Sequence, residues 1–173
     1  TAEHLAVRNG VGVFDVSHMG EVFIEGDGAL AAVQYLCTND AEAITDGQAM
    51  YTGLLNEEGM FVDDSVVYRF HDKKFLICVN AGNREKDFKH IHQIVQSKFS
   101  GQATARDDGD LWAQIAVQGP HAIDVVATLC GECVREMKGY HFCEGAIQIA
   151  SGTTEGIIAR TGYTGEDGFE LYV

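Results

Sequence analysis

The sequence predicts an α+β domain: mixed or antiparallel sheets with helices packed against them. Three observations carry that expectation. Runs rich in β-branched and aromatic residues come in consecutive pairs, such as 51–55 with 61–70 and 147–150 with 156–160. Segments with a 3.6-residue apolar period lie between the pairs, whereas a doubly wound parallel sheet would place one after every strand. Hydrophobic residues make up 46% of the 173-residue chain, enough for a real core.

In order along the chain, residues 3–8 read as the end of a helix, stopped by the Asn9–Gly10 pair. Residues 21–25 alternate around Val22 and Ile24 and predict a strand. Residues 28–37 carry Leu30, Val33 and Leu36 at helical spacing. Residues 51–55 and 61–70 are strands joined by a turn at 56–59, a hairpin pattern, and 75–79 is a short apolar strand. The clearest helix is 83–99, with Phe88, Ile91, Ile94 and Val95 on one stripe. Residues 112–117 form a strand, and Pro120 is placed to open a helix running to about Leu129. Residues 147–150 and 156–160 are a closing pair of strands, and 169–173 is strand-like. No linker, repeat or low-complexity segment divides the chain, so residues 1–173 read as one domain.

Charge narrows the function classes. Twelve Lys+Arg against 26 Asp+Glu leave a formal charge of −14. Phosphates would be repelled, which argues against a nucleic-acid partner and against an anionic membrane surface. No apolar run approaches a membrane span, and residues 1–3 show no signal-peptide pattern. Five Cys, an odd count, favour a reducing compartment over a disulfide scaffold.

Four stretches carry candidate chemistry. Asp63 and Asp64 interrupt the apolar run Val62–Tyr68, and strand alternation sends them to opposite faces. The inward one is costly unless paired or used; a turn with two solvated carboxylates is the plain alternative. Residues 160–170 hold Gly162, Gly165 and Gly168 in a tight loop with Tyr163 for stacking and Glu170 at the following strand, or else form an ordinary hairpin. Asn80 and Asn83 lie between a buried strand and the long helix, where ligands often sit; Asn83 reads better as a helix N-cap. Cys130, Cys133, His141 and Cys143 offer soft ligands, but their spacing fits zinc poorly, and no metal is expected. Together these residues suggest a ligand cleft involving Asp63, Asn80 and Glu170.

Read in series, several stretches resemble one family: the aminomethyltransferase, or T protein, of the glycine cleavage system. They are Glu3-His4-Leu5-Ala6-Val7-Arg8 with Gly12-Val13-Phe14-Asp15-Val16-Ser17-His18-Met19, Leu55-Asn56-Glu57-Glu58-Gly59 with Val62-Asp63-Asp64, and Val79-Asn80-Ala81 with Arg84-Glu85-Lys86-Asp87. Ile115-Ala116-Val117-Gln118-Gly119-Pro120 and Thr161-Gly162-Tyr163-Thr164-Gly165-Glu166-Asp167-Gly168-Phe169-Glu170 complete the series. The resemblance implies a folate-binding fold. It also implies an enzyme that moves an aminomethyl carbon from a lipoylated H protein to tetrahydrofolate, releasing ammonia and giving 5,10-methylenetetrahydrofolate. It implies Asp63 as the key carboxylate, Glu170 as the acid that grips the pterin, and Asn80, Tyr163, Met50 and Tyr51 as pocket residues. It further implies a cytoplasmic setting, or the mitochondrial matrix in a eukaryote. Family chains are about twice this length, so the chain reads as cut at both ends and lacking a C-terminal barrel-like domain. Two alternatives share the resemblance: the folate module of a dimethylglycine- or sarcosine-oxidising enzyme, and a non-catalytic folate-binding fragment.

Overall fold

The computed structural model describes residues 1–173. Its elements are α1 (Ala2–Asn9), β1 (Gly12–Asp15), β2 (Gly20–Glu25), α2 (Ala29–Leu36), β3 (Gln48–Leu55), β4 (Phe61–His71), β5 (Lys74–Val79), α3 (Arg84–Lys98), β6 (Thr104–Asp107), β7 (Gln114–Gln118), α4 (Ala122–Cys130), β8 (Phe142–Ile149), β9 (Gly152–Ala159) and β10 (Gly168–Tyr172). They form two compact units. A contiguous unit comprises His18–Leu111, and a split unit comprises Thr1–Ser17 with Trp112–Val173.

The contiguous unit holds a five-stranded sheet in the order β3-β4-β5-β2-β6. Every neighbouring pair is antiparallel. Asn56 makes the β3–β4 turn, its Oδ1 accepting the N–H groups of Glu58 (3.1 Å) and Met60 (2.9 Å). One sheet face presents Val22 and Ile24 from β2, Val67 from β4, and Phe75, Ile77 and Val79 from β5. These pack with Ala29, Ala32, Val33 and Leu36 of α2 and Ile91, Ile94 and Val95 of α3 into one buried cluster. The alternate residues Phe23, Tyr68, Leu76 and Cys78 are buried as well, which is why β5 reads as an unbroken apolar run.

The split unit holds a second five-stranded sheet, ordered β1-β7-β10-β9-β8 and again antiparallel at every pair. Ala122, Val126 and Ala127 of α4 pack with Val117, Ile147, Ile158, Phe169 and Leu171.

The α+β class with packed helices is the observed one, and both sheets are wholly antiparallel. Two strands have no forecast in the sequence, β1 and β6. Each is four residues long and lies at the edge of its sheet, and β6 (Thr-Ala-Arg-Asp) carries one apolar residue. Strand pairing, not periodicity, makes them. β8 begins at Phe142 rather than 147, because Glu144 and Gly145 hide its apolar alternation. The chain crosses between units near 17/18 and 111/112, and no Pro- or Ser-rich joint marks either crossing. No helix is long and apolar enough to cross a membrane.

Candidate functional site

In the contiguous unit the adjacent carboxylates of β4 diverge as strand geometry requires. Asp63 shares the face of core residue Val67 and lies half-buried beside the start of α3. Its Oδ2 accepts Asn83 Nδ2 at 2.8 Å. Its Oδ1 accepts Asn80 Nδ2 at 3.1 Å and the Asp64 N–H at 2.9 Å. The Asn80 amide also donates to the Asp64 carbonyl at 2.9 Å, and Lys86 Nζ donates to the Val62 carbonyl at 2.5 Å, so the first turn of α3 is fastened to β4. Burial works against the Asp63 charge. The neighbouring Asp87 carboxyl, then hydrogen bonds from Asn83, the Asp64 N–H and Asn80, together outweigh it and hold the carboxyl below the usual range. The result is an ionised, oriented carboxylate, suited to hold an amine or to face a developing cation.

Asp64 points the other way and accepts the Tyr51 hydroxyl at 3.0 Å. Tyr51 is itself exposed, whereas Met50 is buried in the cluster that α2 and α3 cover.

The split unit carries Glu170 on β10. Its Oε1 accepts Gln114 Nε2 at 3.0 Å, and its Oε2 accepts the Thr161 hydroxyl at 2.5 Å. The preceding glycine-rich loop is built on Gln118, which is fully buried. Gln118 Nε2 donates to the carbonyls of Thr161 (3.1 Å) and Phe169 (3.2 Å), and its Oε1 accepts the Thr164 hydroxyl (3.1 Å). Only glycine fits against it: a Cβ on Gly162 would lie 2.0 Å from Gln118 Oε1, and one on Gly168 2.4 Å from the same amide. Arg160 closes the loop through a two-pronged pair with Asp167 at 2.9 and 2.6 Å. Tyr163 projects from this loop, its ring 6.2 Å from Phe14 in an edge contact. Burial and then the Glu170 charge push its hydroxyl pKa up. With Val7, Arg8 and Thr164, these rings border a hollow of about 440 Å³.

The structure therefore joins Asp63 to Asn80 directly, puts Tyr51 on the neighbouring Asp64, sets Met50 in the core, and places Tyr163 near Glu170. Asn83 occupies the N-cap position of α3 but makes no side-chain cap bond; its amide goes to Asp63 instead. The spacing Asn80-x-x-Asn83 ahead of a helix was the available signal. Gln114 and Thr161, which hold Glu170, carry no motif of their own. Cys130, Cys133, His141 and Cys143 form no metal-holding set: no group of three or more His, Cys, Asp or Glu residues could hold a metal ion. Burial, then the neighbouring Cys143 and Cys133, push the Cys130 thiol up to about 11.

The model of the GCVT N-terminal domain family matches residues 1–173. The chain belongs to the GCVT family. This GCVT chain is 46% identical over 172 residues to an aminomethyltransferase of Acidobacterium capsulatum, covering 99% of itself and 44% of that relative. It is 45% identical to one from Koribacter versatilis, covering 99% of itself and 43% of that protein. It thus spans less than half the length of these curated relatives. Among solved structures it resembles the glycine cleavage system aminomethyltransferase T of Bartonella henselae, with a TM-score of 0.83, 32% identity, and coverage of 99% of this chain and 44% of the other. A heterotetrameric sarcosine oxidase of Corynebacterium shares the fold at a TM-score of 0.65 and 15% identity, over 99% of this chain and 81% of that one.

Proposed function

We propose that this GCVT chain serves a tetrahydrofolate-dependent aminomethyl transfer in glycine cleavage. The aminomethyl carbon comes from the lipoyl arm of an H protein, ammonia leaves, and 5,10-methylenetetrahydrofolate forms. The observation that carries the reading is the Asp63 carboxylate, held ionised on β4 by Asn80, Asn83 and the Asp64 N–H. Preorganised acceptors aimed where positive charge develops are a large source of rate enhancement, because they need no reorganisation during the step. In this reading Asp63 orients the folate amine and stabilises the iminium character of the transferred carbon; it moves no proton.

The donor set fits the co-substrate. Gln114 and Thr161 fix the plane of the Glu170 carboxylate, each supplying one hydrogen bond. A carboxylate so fixed can accept two adjacent pterin N–H groups in a fork. Asn80 positions Asp63, Tyr163 offers a ring for stacking, and Tyr51 sits beside Asp64. Met50, next to Tyr51 on β3, is buried in the core cluster.

Two measurements test this: isothermal titration with tetrahydrofolate, and ammonia release from an aminomethyl-loaded, lipoylated carrier. Asp63→Asn is expected to keep folate binding and to lose transfer by about 100-fold or more. Normal turnover in that variant removes the role of Asp63. Absence of folate binding by the unaltered chain removes the whole reading.

A further inference from the structure

Asp87 is a buried acid that faces another acid. It lies in the first turn of α3, 0% exposed, and neither of its carboxylate oxygens has a hydrogen-bond donor in place. Lys86 Nζ forms an ion pair with Oδ1 at 3.4 Å but makes no hydrogen bond to it, and its hydrogen bond goes to the Val62 carbonyl. The carboxylate it faces is that of Asp63: Asn83 at the start of the same helix donates to Asp63 Oδ2 at 2.8 Å, and Lys86 Nζ lies between the Val62 carbonyl and Asp87 Oδ1. Two ionised carboxylates can only accept, so the contact forms only if one of them carries a proton. Asp63 already accepts three donors, from Asn80, Asn83 and the Asp64 N–H, whereas Asp87 accepts none. The positive end of α3 favours one negative charge here, and the donors assign that charge to Asp63.

We propose that Asp87 is the positioning residue of Asp63: it holds a proton and donates it in a hydrogen bond to the Asp63 carboxylate, which stays ionised and aimed. The functional weight of this pair rests on the role given to Asp63 above. The electrostatics agree. Burial first, then the contact with Asp63, push Asp87 up to about 7, opposite in direction to Asp63. The charged groups facing Asp87 are Asp63 on β4 and Lys86 on its own helix. Above neutral pH, Asp87 loses its proton; Asp63 then exchanges a donor for a like charge, and transfer falls.

Carbon-13 NMR of the full chain with labelled aspartate, without folate, tests the pair directly. One aspartate carboxyl is expected to titrate near neutrality in the unaltered chain and to be missing from Asp87→Asn. In Asp63→Asn, where an amide faces Asp87 in place of an anion, the same carboxyl is expected to lose proton affinity by about tenfold or more. Titration at an unchanged midpoint in Asp63→Asn, or no aspartate titrating near neutrality, overturns the proposal. A transfer assay adds a second readout. Asp87→Asn keeps a donor and is expected to retain turnover within about threefold while losing the alkaline fall; Asp87→Leu, with no donor, is expected to lose about tenfold or more in kcat. Unaltered turnover and pH profile in Asp87→Leu also overturn it. The two readings fail separately. Paired titration without folate binding removes the function and leaves the pair, and transfer with uncoupled titration does the reverse.

Discussion

At the scale of single residues, Glu21 shows how a fold can fix a protonation state without using it. It is 1% exposed on β2, and neither carboxylate oxygen has a hydrogen-bond partner. Arg84 opposes its neutral form, but the guanidinium is committed elsewhere, with Nε 2.9 Å and Nη2 3.0 Å from the Asp107 carboxylate and Nη1 2.9 Å from Asp110. Burial therefore prevails, and the Glu21 carboxyl is pushed up to about 7. The folded state keeps a proton here that the unfolded chain sheds near 4.5. Between those values the native form binds more protons, so stability falls as pH rises, by up to about 1.4 kcal/mol per pH unit. Thermal midpoints of the unaltered chain should drop from pH 4.5 to pH 7.5 more steeply than those of Glu21→Gln. Asp87 adds a slope of the same sign from 3.8 upward, so the double variant Glu21→Gln/Asp87→Asn should be flatter still. Asp63, held low, acts in the opposite sense and only in the acid range. Parallel curves for all three proteins would mean that Glu21 and Asp87 ionise normally.

At the scale of elements, the candidate residues of each unit are legible where chemistry and local geometry coincide and hidden where a side chain acts at a distance. Asp63 stood out because two carboxylates broke an apolar strand, and strand alternation alone separates it from Asp64. Glu170 stood out through its glycine-rich neighbour. Gln114 and Thr161 did not, because only antiparallel pairing brings β7 against β10 and a backbone turn brings Thr161 to the same carboxylate. Asp87 had a local signal: it continues the buried stripe of Ile91, Ile94 and Val95 one turn toward the start of α3. The loop from Thr161 to Glu170 shows why two of its glycines, Gly162 and Gly168, are there. Its backbone wraps the Gln118 amide, so Gly162→Ala forces a Cβ into buried polar atoms that have no room to retreat. That substitution should cost about 1–3 kcal/mol in urea denaturation, the usual penalty of overpacking. Gly139→Ala, whose added Cβ meets nothing within 4 Å, should stay within about 0.5 kcal/mol of the unaltered chain. Equal effects would mean that the loop yields freely around Gln118.

For the whole molecule, the sequence reveals the content of each sheet better than its membership. Apolar runs and the α3 stripe report burial within a unit. They cannot report that β1, ahead of the contiguous unit, pairs with β7 about a hundred residues on, Gly12 opposite Gln118. That long-range pairing makes the two units unequal as folding problems. The core cluster of the contiguous unit draws all its buried residues from Val22 to Ala103, and its five strands and two helices are consecutive in the chain. The split unit needs β1 at the edge of its sheet, and Val11 packs against its core, so its ends must meet after everything between them has been made. Closing so long a loop costs entropy that contacts repay only once the sheet is complete. Residues 18–111 expressed alone should therefore keep their β-sheet circular dichroism and unfold in one cooperative transition. Residues 112–173 alone, without β1 and α1, should show no such transition. Cooperative unfolding of the 112–173 piece, or its absence from the 18–111 piece, would show that contiguity in sequence does not decide which unit can form first.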